Sequence, residues 1–137
     1  MKRAFILAAI FLTSTQLFAG GIWNKSLAAA KAEATKNNQL IFVDLFADWC
    51  GWCHRMEQEV FTSDAFQKNS RSLVLLRLDT EDGNEGTKLA RDLNITSLPT
   101  FVVFTADMQI AGIIRGYSPP DAFARISRCR MRVRTSR

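Results

Sequence analysis

Apolar residues along this chain fall into two kinds of block, and each kind predicts a different element. Short continuous apolar runs are typical of strands covered on both faces of a sheet, whereas apolar residues three or four positions apart indicate helices. The continuous runs predict four strands, at residues 40–46, 73–78, 101–104 and 109–114. The helical spacings predict four helices, at residues 26–36, from about position 50, at 87–93 and from 118 onward.

The order of these elements predicts how the strands pair. Helices between the first strands favour parallel pairing, and a short turn before residues 109–114 favours an antiparallel hairpin at the end. Ser118 is expected to cap the last helix, with Pro119 at its first position. Residues 62–64 are expected to cap a further helical turn that buries Phe66. The predicted fold class is therefore α/β, with a mixed sheet.

Composition limits the chain to one domain and suggests export. The 137 residues are 47% hydrophobic, which suffices for one core. Lys2 and Arg3 precede an apolar run at residues 4–12, which is too short to span a bilayer and is typical of a signal peptide. We expect cleavage after Ala19, so that residues 1–19 are the signal peptide and 20–126 the folded domain. The alternative is a buried N-terminal helix.

Charge separates the domain from the end of the chain. The formal net charge is +5, but residues 20–124 hold ten basic residues against thirteen acidic ones. Six further arginines lie in or beside residues 127–137, which we interpret as a mobile basic tail. A basic tail beside an acidic body is not the footprint of a nucleic-acid-binding face, and no nucleic-acid partner is expected. The alternative for the tail is contact with an anionic membrane or an acidic partner.

Cys50 and Cys53 supply the chemistry most worth testing. The first predicted strand runs directly into this Cys-x-x-Cys pair, which stands where a helix begins. A helix N-terminus favours the negative charge of a thiolate, so the pair can be oxidised, reduced and exchanged. Disulfides persist outside the cytosol, and pairing these two cysteines leaves Cys129 over. A purely structural disulfide is the plainest alternative.

Four features in order resemble the thioredoxin superfamily. They are the run at residues 49–53, Asp44 before it, residues 98–100 before a strand, and Gly116 after the last strand. The resemblance covers residues 22–126. Within the superfamily, the chain is similar to exported thioredoxin-like proteins that themselves resemble the C-terminal domain of membrane thiol:disulfide interchange reductases. The resemblance implies a thioredoxin fold, a central mixed sheet of four to five strands flanked by helices.

The resemblance also implies a role for each site residue. Cys50 would attack a substrate disulfide, Cys53 would resolve the mixed disulfide, and Asp44 would accept a proton from Cys53 through water. Arg77 stands where the family carries a basic partner for that carboxylate. Gly51 would let the backbone bend between the cysteines. The substrate-binding residues implied by the resemblance, with a cis bond before the proline, are Trp49, Gly51, Trp52, Leu98, Pro99 and Gly116.

Two other kinds of protein remain open at this point. The sequence Cys50-x-x-Cys53-His54 also fits covalent haem attachment, with Met56 or Met108 as a second axial ligand. A module that only holds client chains would use the same aromatic groove without turnover. A zinc site would need Cys129 to converge on the other ligands, and no metal is expected.

The sequence therefore predicts an exported, periplasmic thiol–disulfide oxidoreductase without a cofactor. We expect it to act as a protein-disulfide reductase, with protein disulfides as substrates and a membrane or soluble thiol protein as electron donor.

Overall fold

A computed structural model describes residues 22–132, with the side chains of residues 22–129. The predicted signal peptide and the last five residues of the predicted tail lie outside the described residues. The strands are β1 (Trp23–Asn24), β2 (Leu40–Phe46), β3 (Leu73–Asp79), β4 (Thr100–Phe104) and β5 (Ile110–Arg115). The helices are α1 (Leu27–Asn37), α2 (Gly51–Arg55), α3 (Asp64–Ser70), α4 (Glu85–Asp92) and α5 (Pro120–Arg132). A π-helical turn, Met56–Val60, joins α2 to α3.

The five strands form one mixed sheet in the order β1-β3-β2-β4-β5. β3 pairs in parallel with both β1 and β2, and β4 pairs antiparallel with both β2 and β5. The predicted mixed sheet and its late hairpin are thereby confirmed. The two-residue strand β1 was missed, because so short an element carries no periodicity.

Alternate residues of β2 divide the core between the two faces of the sheet. Ile41, Val43 and Leu45 point to the face that α1 covers, here called the α1 face. Phe42 points to the opposite face, the α5 face, where it packs with buried aromatic residues. These partners are Phe61, Phe66, Phe101 and Phe123. This alternation explains why β2 reads as a continuous apolar run, since both of its faces are covered.

The structure confirms the predicted start of α3 but corrects both ends of the last helix. Ser63 caps α3 as predicted, because its Oγ accepts a hydrogen bond from the Phe66 amide at 3.2 Å, and Phe66 is buried. The last helix begins at Pro120, so the prediction of Pro119 as its first residue was wrong by one position. It then runs to Arg132, past the domain boundary predicted at residue 126. Its buried residues Phe123, Ala124 and Ser127 lie at helical spacing, and the arginines that follow are good helix formers.

No helix between residues 22 and 132 combines the length and the apolar composition needed to cross a membrane.

Candidate active site

The two cysteines lie at the C-terminal end of β2, where the chain turns into α2. Their sulfur atoms are 2.17 Å apart, so the structure places the predicted pair as a disulfide. Cys50 is the N-cap of α2, and its Sγ accepts a hydrogen bond from the Cys53 amide at 3.1 Å. Cys50 is 4% exposed and Cys53 1% exposed. The same amide would stabilise a thiolate on Cys50 after reduction.

Asp44 lies in the same strand, on the α5 face, and is 2% exposed. Burial raises the pKa of its carboxyl to about 7, and the nearby Arg77 guanidinium only partly offsets that effect. Arg77 Nε lies 3.2 Å from Asp44 Oδ2, and the two residues are partners in the parallel register of β2 and β3. The N–H does not point at a carboxylate oxygen among the described residues, so the pair is an ion contact without an aligned hydrogen bond. Because the pairing with Arg77 is weak, desolvation outweighs it and the pKa of Asp44 rises.

Arg77 is shared with a second carboxylate that the sequence analysis did not name. Its Nη1 donates to Glu57 Oε1 at 2.7 Å, and its guanidinium lies 4.1 Å from the centre of the Phe46 ring. The hydrogen bond from Arg77 lowers the pKa of Glu57. Glu57 stands one helical turn after Cys53, and that spacing is the signal by which the sequence could have found it. Arg77 therefore has two acidic partners, and its positive charge interacts with Glu57 as well as with Asp44.

Two exposed indole rings flank the disulfide. Trp49 is 69% exposed and Trp52 54% exposed, although both are large apolar side chains. Trp49 is held by a hydrogen bond from its Nε1 to Glu81 Oε1 at 2.8 Å. Exposed aromatic surface of this kind beside a reactive group is typical of a binding site. The structure thus brings both predicted tryptophans to the disulfide as an accessible apolar surface.

A group of side chains that we call the Trp52 cluster fixes one side of this surface. It consists of Trp52, Arg55, Glu59 and Tyr117. The Trp52 and Tyr117 rings are 5.3 Å apart, and the Arg55 guanidinium lies 5.0 Å from the Tyr117 ring. Glu59 accepts hydrogen bonds from Tyr117 Oη at 2.6 Å and from Arg55 Nε at 2.8 Å. The cluster ties α2 and the π-helical turn to the segment after β5.

The sequence analysis missed Tyr117, although it follows the predicted Gly116 directly. Gly116 has a φ of +79°, a conformation that favours glycine, and its amide donates to the Pro99 carbonyl at 2.8 Å. This bond joins the two predicted residues. A candidate site that included the neighbours of Gly116 would have included Tyr117.

The peptide bond between Leu98 and Pro99 is cis, as the resemblance implied. Pro99 is buried just before β4, whose Thr100 pairs with Leu45 near the end of β2. Leu98 is half-buried and lines a pocket of about 180 Å³ together with Trp49. The predicted substrate-binding residues thus lie at the same end of the sheet as the disulfide.

The structure does not support the prediction that Gly51 lets the backbone bend between the cysteines. Its φ is not positive, and a Cβ added there would meet no atom within 4 Å. The structure therefore gives no steric reason for a glycine between the cysteines, and the expectation that Gly51 is needed for a bend is not supported. Gly51 is exposed, so its small size leaves the surface beside Cys50 open.

The residues considered as haem ligands, His54, Met56 and Met108, lie in three different surroundings. The His54 ring nitrogen Nε2 lies 2.7 Å from the Asp48 carbonyl oxygen, at the edge of the site. Met56 is buried in the core of the α5 face, and Met108 packs against the α1 face. Among residues 22–129, no three His, Cys, Asp or Glu side chains are grouped so as to hold a metal ion. Cys129 is exposed on α5 and unpaired.

Comparison with known proteins agrees with this geometry. The family model described as Thioredoxin-like domain matches residues 27–128. Thiol:disulfide interchange protein DsbD of Yersinia enterocolitica is 36% identical over 81 residues, which are 58% of this chain and 14% of DsbD. The chain thus spans only a small part of the length of this relative.

Solved structures show the same fold. A structure titled DsbH Oxidoreductase superposes with a TM-score of 0.72 at 18% identity, covering 90% of this chain and 94% of that one. The oxidised C-terminal domain of DsbD from Neisseria meningitidis gives a TM-score of 0.66 at 15% identity, covering 80% and 99%.

Proposed function

We propose that this chain, a member of the thioredoxin-like domain family, is a thiol–disulfide oxidoreductase that works as an exported reductase of protein disulfides. One observation carries the proposal. The Cys50–Cys53 disulfide stands at a helix N-terminus between two exposed indole rings, with a buried carboxyl in the strand that leads to it. A purely structural disulfide has no need of these surroundings.

The proposed reaction transfers two electrons from the reduced cysteine pair to a substrate disulfide. The Cys50 thiolate attacks one substrate sulfur, the substrate S–S bond breaks, and its other sulfur leaves and takes up a proton. Cys53 then loses its proton and attacks Cys50 Sγ. This attack closes the Cys50–Cys53 disulfide and releases the second substrate thiol. A thiol protein that donates electrons must then reduce the disulfide before the next cycle.

Asp44 is the proposed acceptor of the Cys53 proton. A carboxyl with a pKa of about 7 can both accept and return a proton near neutral pH, which an ordinary aspartate cannot. Its burial in the strand that leads to the cysteines supports this role, with a water molecule carrying the proton between the two groups. Arg77 would limit how far the pKa rises.

The direction and the location rest on the sequence and on the relatives. Leu98 before the cis proline and the Asp44–Arg77 contact resemble reducing members of the superfamily. The apolar run at residues 4–12 supports export, with residues 1–19 removed and a domain that starts at residue 20. The similarity to DsbD supports a role in thiol:disulfide interchange, and the proposed export would place that role in the periplasm.

Trapping of the mixed disulfide tests this function. With Cys53→Ser, the Cys50 thiolate still attacks, but nothing resolves the product, so a disulfide-bonded test protein such as insulin should remain covalently attached. The attachment should be visible on a non-reducing gel and should disappear with dithiothreitol. Cys129→Ser is the matched control, and it should turn over insulin like the unmodified chain.

Three results would contradict the proposal. Attachment through Cys129 would mean that the exposed cysteine is the reactive one. Equal binding of insulin by the unmodified chain and a Cys50→Ser variant, without thiol exchange, would indicate a client-binding module. A Soret band in the purified chain would indicate covalent haem.

A further inference from the structure

Glu81 stands beside Trp49, on one side of the disulfide. Its Oε1 accepts a hydrogen bond from Trp49 Nε1 at 2.8 Å, and its own backbone amide donates to Asp79 Oδ1 at 2.8 Å. These two bonds fix the Glu81 carboxylate next to the indole, although both residues are exposed. Trp49 directly precedes Cys50. A substrate chain that lies on this indole while it reaches Cys50 therefore passes the Glu81 carboxylate.

The negative charge of Glu81 is not neutralised by a basic neighbour. Among residues 22–129, no Lys or Arg side chain forms an ion pair with it. The Trp52 cluster differs in this respect, because its carboxylate, Glu59, is paired with Arg55 Nε at 2.8 Å. Of the two aromatic sides of the disulfide, only the side of Glu81 thus presents a carboxylate that is available to a bound molecule.

A pocket of about 180 Å³ opens beside the same indole. Trp49 and Thr80 both line it. Glu81 follows Thr80 in the chain and accepts the hydrogen bond from the Trp49 ring, so its carboxylate lies at the rim of the pocket. Ile95 and Leu98 add apolar side chains to the wall. The pocket therefore combines an apolar wall, an aromatic ring and a negative charge at its edge.

Lysine and arginine side chains match this combination. Each has an apolar stem that packs on apolar surface and a cationic head that stays in water. The head is also attracted to the face of an indole ring and to a carboxylate. An uncharged side chain uses only the wall, and an acidic side chain is repelled at the rim.

We propose that Glu81 is a specificity-determining residue, which favours substrate disulfides whose cysteines are flanked by lysine or arginine. The stem of the flanking residue lies against Trp49 at the pocket, and its cationic head reaches the Glu81 carboxylate. The inference rests on the proposed reductase function, since it concerns substrates of the same disulfide. It adds no step to that reaction. Cys50 and Cys53 still transfer two electrons, and Glu81 changes only the relative binding of competing substrates.

Symmetrical disulfide dimers of one short peptide test the inference. The peptide is acetylated and amidated Gly-Xaa-Cys-Xaa-Gly, with Lys, Gln or Glu at both Xaa positions. The full chain is reduced with dithiothreitol, freed of it and mixed with each dimer. Its oxidation, which releases two peptide thiols, is followed by tryptophan fluorescence. Each rate is divided by the rate at which dithiothreitol reduces the same dimer, because flanking charge alters the reactivity of the disulfide itself.

Two variants separate the charge of Glu81 from its hydrogen bond. In Glu81→Gln the side-chain oxygen can still accept the bond from Trp49, but the negative charge is gone. Glu33→Gln is the matched control, since Glu33 is exposed on α1 and accepts a hydrogen bond from Asn24 Nδ2 at 2.9 Å. Thermal unfolding verifies that both variants are folded, and Glu33→Gln should reduce insulin like the unmodified chain.

The unmodified chain should react fastest with the Lys dimer and slowest with the Glu dimer. Glu81→Gln should lower the Lys-to-Glu ratio of normalised rates by roughly 2- to 5-fold, the range of an exposed ion pair, and Glu33→Gln should leave the ratio unchanged. An unchanged ratio in Glu81→Gln would overturn the inference, because Glu81 would then only hold Trp49 in place. An equal fall in both variants would also overturn it, since net charge would then be responsible.

Failure of this inference is distinguishable from failure of the proposed function. If the unmodified chain reduces insulin but reacts with all three dimers at the same normalised rate, the reductase function stands and the charge selection falls. If it reduces neither insulin nor any dimer, the proposed function fails and the inference fails with it.

Discussion

The α1 face and the α5 face of the sheet are built from alternate residues of the same strands, but they serve different purposes. The α1 face is lined mainly by aliphatic side chains and covered by α1 through Ala30 and Ala34. The α5 face is packed with aromatic rings and also contains Asp44, a buried acid. Both faces exclude water. Among the residues that the structure describes, only the α5 face does so around an acidic side chain, Asp44, which lies in the strand that leads to the cysteines.

The difference shows where the molecule gives up stability for chemistry. A buried carboxyl with only a poorly aligned ion contact makes folding less favourable at neutral pH than an apolar residue would. Such an exception to ordinary core packing is expected at functional sites. The buried cluster of the α1 face contains no comparable group.

The largest expected effect comes from removing an aromatic ring from the α5 face. Phe101 is fully buried, with its ring 5.5 Å from that of Phe42 and 4.9 Å from that of Phe123. Phe101→Ala should lower the free energy of unfolding by about 3–5 kcal/mol in urea denaturation. Val102→Ala, the neighbouring residue on the α1 face, should cost only about 2 kcal/mol because it removes two methyl groups. Equal losses would mean that the aromatic packing has no special weight.

The next effect isolates Asp44 by its pH dependence. Between about pH 4 and 7 its carboxyl is ionised in the unfolded chain but protonated in the folded one, so stability must fall as the pH rises. The total fall is at most about 4 kcal/mol, from a shift of about three pKa units. Asp44→Asn should remove this fall and be more stable than the unmodified chain at pH 8, as measured by urea denaturation at each pH. Asp48→Asn, at an exposed position, is the control. A stability that stays flat or rises over this range in the unmodified chain would contradict the assignment.

The smallest effect concerns the rim of the α5 face. Tyr117→Phe keeps the ring against Trp52 but removes the exposed hydrogen bond to Glu59, so it should lower the midpoint of urea denaturation only slightly. The emission of Trp52 should change little. Tyr117→Ala also removes the ring, and should shift that emission and raise the KM for insulin. If Tyr117→Phe shifts the Trp52 emission as much as Tyr117→Ala does, the hydroxyl rather than the ring positions Trp52.

Local sequence signals were enough for some of these features. Strand β2 was predicted with the limits it has, because a seven-residue apolar run with an acid within it fits only a covered strand. The Ser63 cap follows from local chemistry and was also confirmed. The Asp44–Arg77 contact was implied by the family resemblance, and the register of β2 and β3 produces it.

Features that depend on tertiary contacts could not be read in this way. The Trp52 cluster joins Tyr117 to Glu59 across 58 positions of sequence. Strand β1 is defined only by its partner β3, and the π-helical turn does not differ in composition from an ordinary helix. The last turns of α5 lack apolar residues at helical spacing. The sequence pattern therefore predicted an end at residue 126, although the helix continues to Arg132.

A redox titration of the cysteine pair tests the central claim most directly. The purified chain would be equilibrated in glutathione buffers while the fluorescence of Trp49 and Trp52, the rings that flank the disulfide, is followed. If the protein is a reductase, the titration should show one two-electron transition with a midpoint of about −230 to −270 mV, near that of thioredoxin. A midpoint near −120 mV, the range of strong oxidants, would reverse the proposed direction, and no transition at all would contradict a redox-active pair.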